Sequence, residues 1–513
     1  EDMGDTWEKI SPDLTTNDPK KQNQEDSGGL SKDNSGAENH TTIFTIVESP
    51  IDQNVIWVGT DDGNVQVTQN GGKSWVNTVS NVQGLPKNTW CYHIEASIHD
   101  KGTAYAVFDG HTMGDMNPYV YKTSDYGQTW TSLATDDIKG FARNIQEDYV
   151  QPDLLYLGTE LGLFITIDGG KNWNRFTNNM PATAVHFIDL SEKTNDLVLG
   201  THGRGIIIID DISPLRQINQ LVLQEDLHFF ETKPTIISEE TSFGNTATEM
   251  EFIGPNPDTD AKIIYYLKKR HTFGKMKMDV FDADGNHMIE LTPSKSKGIN
   301  VVSWNYRIKQ PKIAKGKSLA FGGFTSPRVP AGKYKVVLTK GKAKYDTTLE
   351  LINDPKSPLT DEERIALHKT TMELYDMSEQ LAYLVYRIDE TILTAEKVVK
   401  SGKTGQKVAQ PILDDLNKLK ETLVITTGDN YVGSADPQLR EKISDLFSKI
   451  ASGFESPSAS ELANYSLLKS QFDIAIQEYE KIEQKKAPKM NKVINELKIE
   501  PVVVKTFDEF VNN

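Results

Sequence analysis

The sequence predicts a multidomain, mainly β chain: blades of a β-propeller forming part of a ring, then a two-sheet β-sandwich, then an α-helical bundle. Three observations carry this. A tryptophan-ended motif recurs before residue 175, short alternating strands with close turn signals run from about 227 to 355, and leucines recur every seven residues from 367. At 513 residues the chain also exceeds what one hydrophobic core usually supports.

The repeat is the first element. Thr68-Gln-Asn70-Gly-Gly72-Lys-Ser74-Trp75, Thr123-Ser-Asp125-Tyr-Gly127-Gln-Thr129-Trp130 and Thr166-Ile-Asp168-Gly-Gly170-Lys-Asn172-Trp173 align without gaps, and Asp2-Met-Gly4-Asp-Thr6-Trp7 fits their second half. The pattern S/T-x-D/N-x-G-x-S/T/N-W is the Asp box. Its physics is a turn: the Asp or Asn side chain accepts from backbone amides, Gly supplies positive φ, and Trp packs between sheets. Asn70, Asp125, Asp168, Trp75, Trp130 and Trp173 are therefore assigned structural roles. Three β-rich runs precede each complete box and one follows, which makes a four-stranded blade.

A second repeat lies inside the first: Val58-Gly-Thr60-Asp-Asp-Gly63, Leu157-Gly-Thr159-Glu-Leu-Gly162 and Leu199-Gly-Thr201-His-Gly-Arg-Gly205, each expected to join two inner strands through a glycine-bearing turn. The tryptophans are 68, 55 and 43 residues apart, and the last two intervals fit single blades. The longer first interval holds the polar stretch 11–40, a long loop or partly disordered insertion. Four blades are expected between Thr41 and about Leu215, with the final strand of another ending near Ile10.

Residues 225–355 read as an immunoglobulin-like or fibronectin-like sandwich, with strands such as Ile263–Leu267, Met278–Asp282 and Val301–Tyr306. Thr360-Asp-Glu-Glu363 is a capping box that opens a helix carrying Leu367, Leu374, Leu381 and Ile388. Further helices are expected over about Val408–Val424, after Asp436-Pro437, and after the capping box Ser458-Ala-Ser-Glu461, the last with Leu462, Tyr465, Leu468, Phe472 and Ile476 on one face. This places the bundle at 356–490 and a C-terminal tail at 491–513.

Composition narrows the partners. Lys and Arg total 56 against 73 Asp and Glu, a formal charge of −17, so neither nucleic acid nor an anionic membrane surface is an expected partner. No apolar run reaches the roughly 20 residues of a membrane helix, so direct membrane insertion is not expected. Cys91 is the only cysteine, so no intrachain disulfide forms, which a bacterial envelope permits.

Several strings together, Gly36-Ala-Glu-Asn-His-Thr-Thr-Ile43, Trp57-Val-Gly-Thr-Asp-Asp-Gly-Asn-Val65, Pro118-Tyr-Val-Tyr-Lys-Thr123, Thr201-His-Gly-Arg-Gly-Ile206 and Ile209-Asp-Asp-Ile212, resemble the bacterial sortilin-N-terminal-domain, BNR-repeat proteins, often labelled glycosyl hydrolases. The resemblance covers most of the chain, with propeller, sandwich and helices in that order, and implies a secreted or cell-envelope protein of bacterial type. It also implies that a large propeller precedes these blades. Glu1 falls inside an Asp box, so the expected partner is the N-terminal propeller part of the same precursor, cleaved near Glu1, or another envelope protein.

Sialidase chemistry needs an arginine cluster and a Tyr nucleophile paired with Glu, and the blades hold only Arg143, Arg175 and Arg204, with Arg216 just after. A xyloglucanase-type hydrolase needs two facing carboxylates; Asp61 and Asp62 could supply one, though both read first as turn caps. Glu38, His40, Asp61, Asp62, His111, Asp115, His202 and Arg204 lie in blade loops and are the candidate ligand-binding residues. The turn His202-Gly-Arg204-Gly brings amides and a guanidinium together, suited to a carboxylate or phosphate or to a structural ion pair. No cofactor is demanded; convergence of these residues would suit a polar ligand or a divalent metal such as calcium. No HExxH, P-loop or GxSxG element is present. Two functions follow: a non-catalytic recognition protein binding peptide, protein or glycan, and, as the alternative, a glycoside hydrolase with paired carboxylates.

Overall fold

The computed structural model describes residues 4–23, 25, 40–177, 179–239, 258–317, 325–428, 435–500 and 502–512. The chain divides into two compact units, Glu1–Glu225 and Asp226–Asn513.

In the first unit four antiparallel sheets follow one another. They are β1–β4 (Ile43–Glu48, Ile56–Thr60, Val65–Thr68, Val76–Asn77), β5–β8 (Trp90–Ala96, Ala104–Asp109, Tyr119–Thr123, Thr131–Ser132), β9–β12 (Ala142–Glu147, Leu155–Thr159, Gly162–Thr166, Asn174–Arg175) and the three-stranded β13–β15 (Ala184–Ser191, Asp196–His202, Ile206–Ile209). Within each sheet the strands pair in chain order, so β1, β5, β9 and β13 are all edge strands. The sheets stack face to face as propeller-type blades. Trp57, Ile94 and Trp130 fill the first gap, Tyr105, Ile145 and Trp173 the second, and Tyr156, Val185 and Leu199 the third. Strands β6, β10 and β11 are buried along their whole length because both faces are covered, whereas β1 and β15 expose their outward residues. A short helix, α1 (Ser213–Gln217), follows the fourth sheet, and its Arg216 Nε donates to the buried Asp148 carboxylate at 2.9 Å.

The repeated turns are built alike. Thr68, Thr123 and Thr166 accept through Oγ1 from the amides of Gly72, Gly127 and Gly170 at 3.0, 2.9 and 3.0 Å. Asn70, Asp125 and Asp168 accept from the amides of Ser74, Thr129 and Asn172 at 2.9, 2.8 and 2.9 Å. The three glycines have φ of +89°, +81° and +92°, and each backs onto the residue three positions after the preceding tryptophan: Ile10, Thr78 and Leu133. Trp173 Nε1 donates to Leu133 O and Trp75 Nε1 to Ile10 O. Trp7–Ile10 thus stands where a preceding sheet ends. The expected strand ending at Ile10 is not formed, since this segment has no ladder partner among the described residues, and Trp7 is 91% exposed. Trp75 is only half-buried, unlike Trp130 and Trp173, for the same reason.

The second unit begins with a two-sheet sandwich. β16 (Leu227–Phe229), β18 (Ala261–Leu267) and β21 (Gly298–Trp304) form one sheet; β17 (Thr235–Ile237), β19 (Met276–Phe281), β20 (His287–Leu291), β22 (Gly332–Lys340) and β23 (Ala343–Asn353) form the other, in the order β17-β23-β22-β19-β20. One core, with Tyr265, Trp304, Met278 and Val336, lies between them, and β17 runs parallel to β23. Helices α2 (Asp361–Lys400), α3 (Lys403–Leu423), α4 (Leu439–Ser452), α5 (Ala459–Lys485) and α6 (Ala487–Leu497) pack round a second core. Thr360 and Glu363 close the capping box of α2, and Leu374, Leu381 and Ile388 are fully buried. On α5, Leu468 and Phe472 are buried while Leu462 is exposed. The stretch read as a tail is largely helical: α6 reaches Leu497, and α7 (Phe507–Val511) returns to α2, where Phe510 stacks on Tyr386. No helix among the described residues is long and apolar enough to cross a membrane.

Candidate functional site

The four edge strands share one irregularity. Between Ile43 and Thr45, Cys91 and His93, Ala142 and Asn144, and Val185 and Phe187, the register advances two residues against one on the neighbouring strand. Each is a β-bulge, which re-aims the inserted side chain and bends an edge strand. The inserted residues are Phe44, Tyr92, Arg143 and His186, one from each sheet.

In three sheets the strand opposite the bulge carries the Gly-Thr pair of the second repeat: Gly59-Thr60, Gly158-Thr159 and Gly200-Thr201. These glycines lie inside strands, while Gly63, Gly162 and Gly205 of the same repeat, with φ of +94°, +140° and +66°, stand at the expected turn between the two inner strands. A Cβ at Gly59 would come within 2.5 Å of Cys91 Sγ, and one at Gly158 within 2.5 Å of Val185 O. At Gly59 and Gly158 the glycine is there because the next sheet approaches too closely for a side chain.

The bulged residues meet across the sheets. Phe44 contacts Trp90 and Tyr92 with ring centroids 4.6 and 5.2 Å apart. The Arg143 guanidinium lies 4.5 Å from the Tyr92 ring centre and 4.7 Å from that of Phe141. Arg143 Nη1 donates to Asp109 Oδ2 at 2.6 Å, and Asp109, fully buried, also holds His111 Nδ1 at 2.8 Å. His111 stacks on Phe141 at 4.7 Å, and His186 packs 5.1 Å from His202. Burial first, then the Arg143 and His202 charges, holds His186 below its usual pKa, so the imidazole is neutral at neutral pH.

Three enclosed polar atoms lie along this row, and others, such as Trp57 Nε1, Trp130 Nε1 and the Tyr156 hydroxyl, lie elsewhere between the sheets. Trp90 Nε1, Arg143 Nε and His186 Nε2 are shielded from solvent and make no hydrogen bond among the described residues. Buried polar groups are nearly always paired, so each of these three atoms is one for which a partner is expected.

The residues singled out from sequence divide. His111 and His202 reach the row. His40 Nδ1 stands 3.6 Å from Asp61, whose other oxygen accepts from the Thr42 amide at 2.7 Å. Asp62 is buried and accepts from the amide and hydroxyl of Thr16 at 2.6 Å, anchoring the polar loop to the first sheet. Asp115 accepts from the Asn117 amide at 3.0 Å and from the Tyr119 hydroxyl at 2.7 Å, bonds that hold its carboxyl below the usual range. Arg204 is exposed in the β14–β15 turn and has no ion pair among the described residues. Glu38 lies outside the described residues. The seven described residues do not form one cluster, and among the described residues no group of His, Cys, Asp and Glu could hold a metal ion. Phe44, Trp90, Tyr92, Asp109 and His186 are not singled out by the sequence, and Arg143 enters there only as one of the few blade arginines. The Gly-Thr repeat was the available signal, because it marks where each bulge falls on the neighbouring strand.

No protein-family model and no curated protein matches the chain. Solved structures do. YCF48 from Cyanidioschyzon merolae is 19% identical over 33% of this chain and 52% of its own, with a TM-score of 0.26. The GH74 xyloglucanase from Xanthomonas campestris is 17% identical over 34% of this chain and 29% of its own, at 0.28, and the GH74 enzyme from Niastella koreensis 15% over 62% and 50%, also at 0.28. The chain spans about half or less of the length of each of these proteins. At such scores nothing of their chemistry carries over.

Among the described residues of the blades, Glu95 and Glu147 form a carboxylate pair. Glu95, between the second and third sheets, is pushed up to about 8 by burial and by Glu147. Glu147 is locked by Ser97 Oγ at 2.6 Å, the Ile98 amide at 3.1 Å and the Tyr105 hydroxyl at 2.9 Å, so both carboxyls serve the packing of neighbouring sheets.

Proposed function

We propose that the blades form a non-catalytic recognition surface that binds a peptide, protein or glycan along the bulge row Phe44–Tyr92–Arg143–His186. The observation that carries this reading is the row of enclosed, unpaired polar atoms beside stacked aromatic rings. Aromatic faces suit the apolar side of a sugar ring or a peptide side chain, and unpaired N–H groups suit carbonyl or hydroxyl oxygens. Asp109 holds Arg143 in place, so the guanidinium is preorganised.

A glycoside hydrolase is the weaker reading, since Glu95 and Glu147 are held in packing contacts and Asp109 is committed to Arg143 and His111. On the preferred reading the chain is an Asp-box protein of the sortilin-like, BNR-repeat kind, secreted or in the bacterial envelope. An immunoglobulin-like sandwich (225–355) and a helical bundle (356–490) then tie the blades (1–215) to a larger assembly. Further blades, from the same precursor or another envelope protein, would cover the outward faces of the first and last sheets, where Ile46, Val76, Phe187, Ile206 and Ile208 are exposed.

The test is a binding screen of the full chain against immobilised peptides and oligosaccharides, repeated with Arg143→Met and Tyr92→Ala. Binding that weakens tenfold or more in both variants, with no reducing sugar released from xyloglucan, is the expected result. Sugar release abolished by Glu95→Gln would establish the hydrolase instead.

A further inference from the structure

The second unit contains a cavity of about 500 Å³ that is unrelated to the bulge row. Its walls are the segment leading into β22 (Arg328–Ala331), Ile237 of β17, the first turns of α2 and the end of α4. The lining is mainly apolar, with Val329, Ile365, Leu367, Ile450 and Phe454, and the volume is that of a site for a small organic ligand.

Charge is placed in this apolar setting without a match. Arg328 is half-buried, its guanidinium 4.0 Å from the Phe454 ring centre and 3.4 Å from the Gly453 carbonyl. Among the described residues it forms no salt bridge. The nearby Glu239 is taken by Arg364 at 2.5 Å, and Lys369 on the rim faces Glu373. Arg307, bridged to Arg328 through the backbone, adds a second positive charge. Burial first, then Arg307, lowers the Arg328 guanidinium to about 10, so it stays charged at neutral pH in surroundings that penalise the charge. His368, also lining the cavity, is held below its usual pKa by burial, so it adds a neutral polar edge. Of the carboxylates, Asp361 at the start of α2 also faces the cavity. A guanidinium fork over an aromatic floor is the geometry that receives a carboxylate in a bidentate pair, while the surrounding side chains receive hydrocarbon.

We propose that this cavity binds a small hydrophobic monocarboxylate, with its carboxylate on Arg328 and its hydrocarbon against Ile365, Ile450 and Phe454. The site is independent of the reading given to the blades.

Calorimetric titration of the full chain with octanoate, and separately with 1-octanol, tests it. Octanoate is expected to bind at least tenfold more tightly than octanol. Arg328→Met, which keeps the aliphatic stem, should remove that preference, and Arg328→Lys should keep part of it. Equal affinity for octanoate and octanol in the unaltered protein overturns the proposal without reliance on any variant. So does an octanoate affinity unchanged in a folded Arg328→Met protein.

Discussion

At the scale of single residues, two buried groups between the second and third sheets set opposite pH dependences. Burial and Glu147 raise Glu95 from an ordinary 4.5 to about 8, and burial lowers His93 from 6.5 to about 4. The folded protein keeps the Glu95 proton up to about pH 8, while the unfolded chain loses it near 4.5. The stability from Glu95 is therefore complete below 4.5 and declines as pH rises to 8. His93 works the other way: its contribution is complete above 6.5 and is lost as pH falls towards 4. The two oppose each other from 4.5 to 6.5, and only Glu95 acts between 6.5 and 8. The urea midpoint of the first unit should fall across pH 6.5–8, and Glu95→Gln should flatten that fall. Parallel slopes for the two proteins would show that Glu95 is not protonated in the fold.

At the scale of elements, the same motif has different energetic weight in different sheets. Trp173 is 3% exposed and donates to Leu133 O, whereas Trp75 is half-buried against Ile10. Trp173→Ala should cost about 3–5 kcal/mol, as large-to-small core changes do, and Trp75→Ala distinctly less. Thermal midpoints rank the two, and equal losses would contradict the packing described. In the second unit Leu381 of α2 lies 1% exposed in the core shared by the helices, so Leu381→Asp should cost several kcal/mol by burying a charge without a partner. An unchanged melting transition of that unit would contradict it. The helices were readable because capping boxes and seven-residue leucine spacing are local signals. Helix α7 was missed because its anchors, Tyr383 and Tyr386, lie more than 100 residues away.

At the scale of the whole molecule, the first and last sheets of the blades each present an apolar face. β13 and β15 turn Phe187, Ile206 and Ile208 outward, with Phe187 and Ile206 flanking Gly200 in one row. The first sheet exposes Ile46 and Val76. Apolar faces of this kind are covered in solution, and among the described residues β15 also offers an unpaired edge. The isolated chain should therefore self-associate, with a mass by light scattering that rises with concentration. Phe187→Lys combined with Ile208→Lys should reduce that association. A monodisperse monomer at all concentrations would mean that these faces need no cover.

The sequence alone determined the blade repeat, the turn chemistry of Thr, Asp and Gly, the sandwich strands and the four main helices, because each is written in contacts between residues a few positions apart. It did not determine the site. Of the eight loop residues chosen for their chemistry, His111 and His202 reach the bulge row, while Asp62 and Asp115 are spent on turns and anchors. Phe44, Tyr92, Arg143 and His186 are about 50 residues apart and share no residue type. What unites them is an extra residue in the edge strand of each sheet, and a bulge exists only relative to the strand it pairs with. The direction in which those side chains point was decided by strand pairing and by the stacking of one sheet on the next.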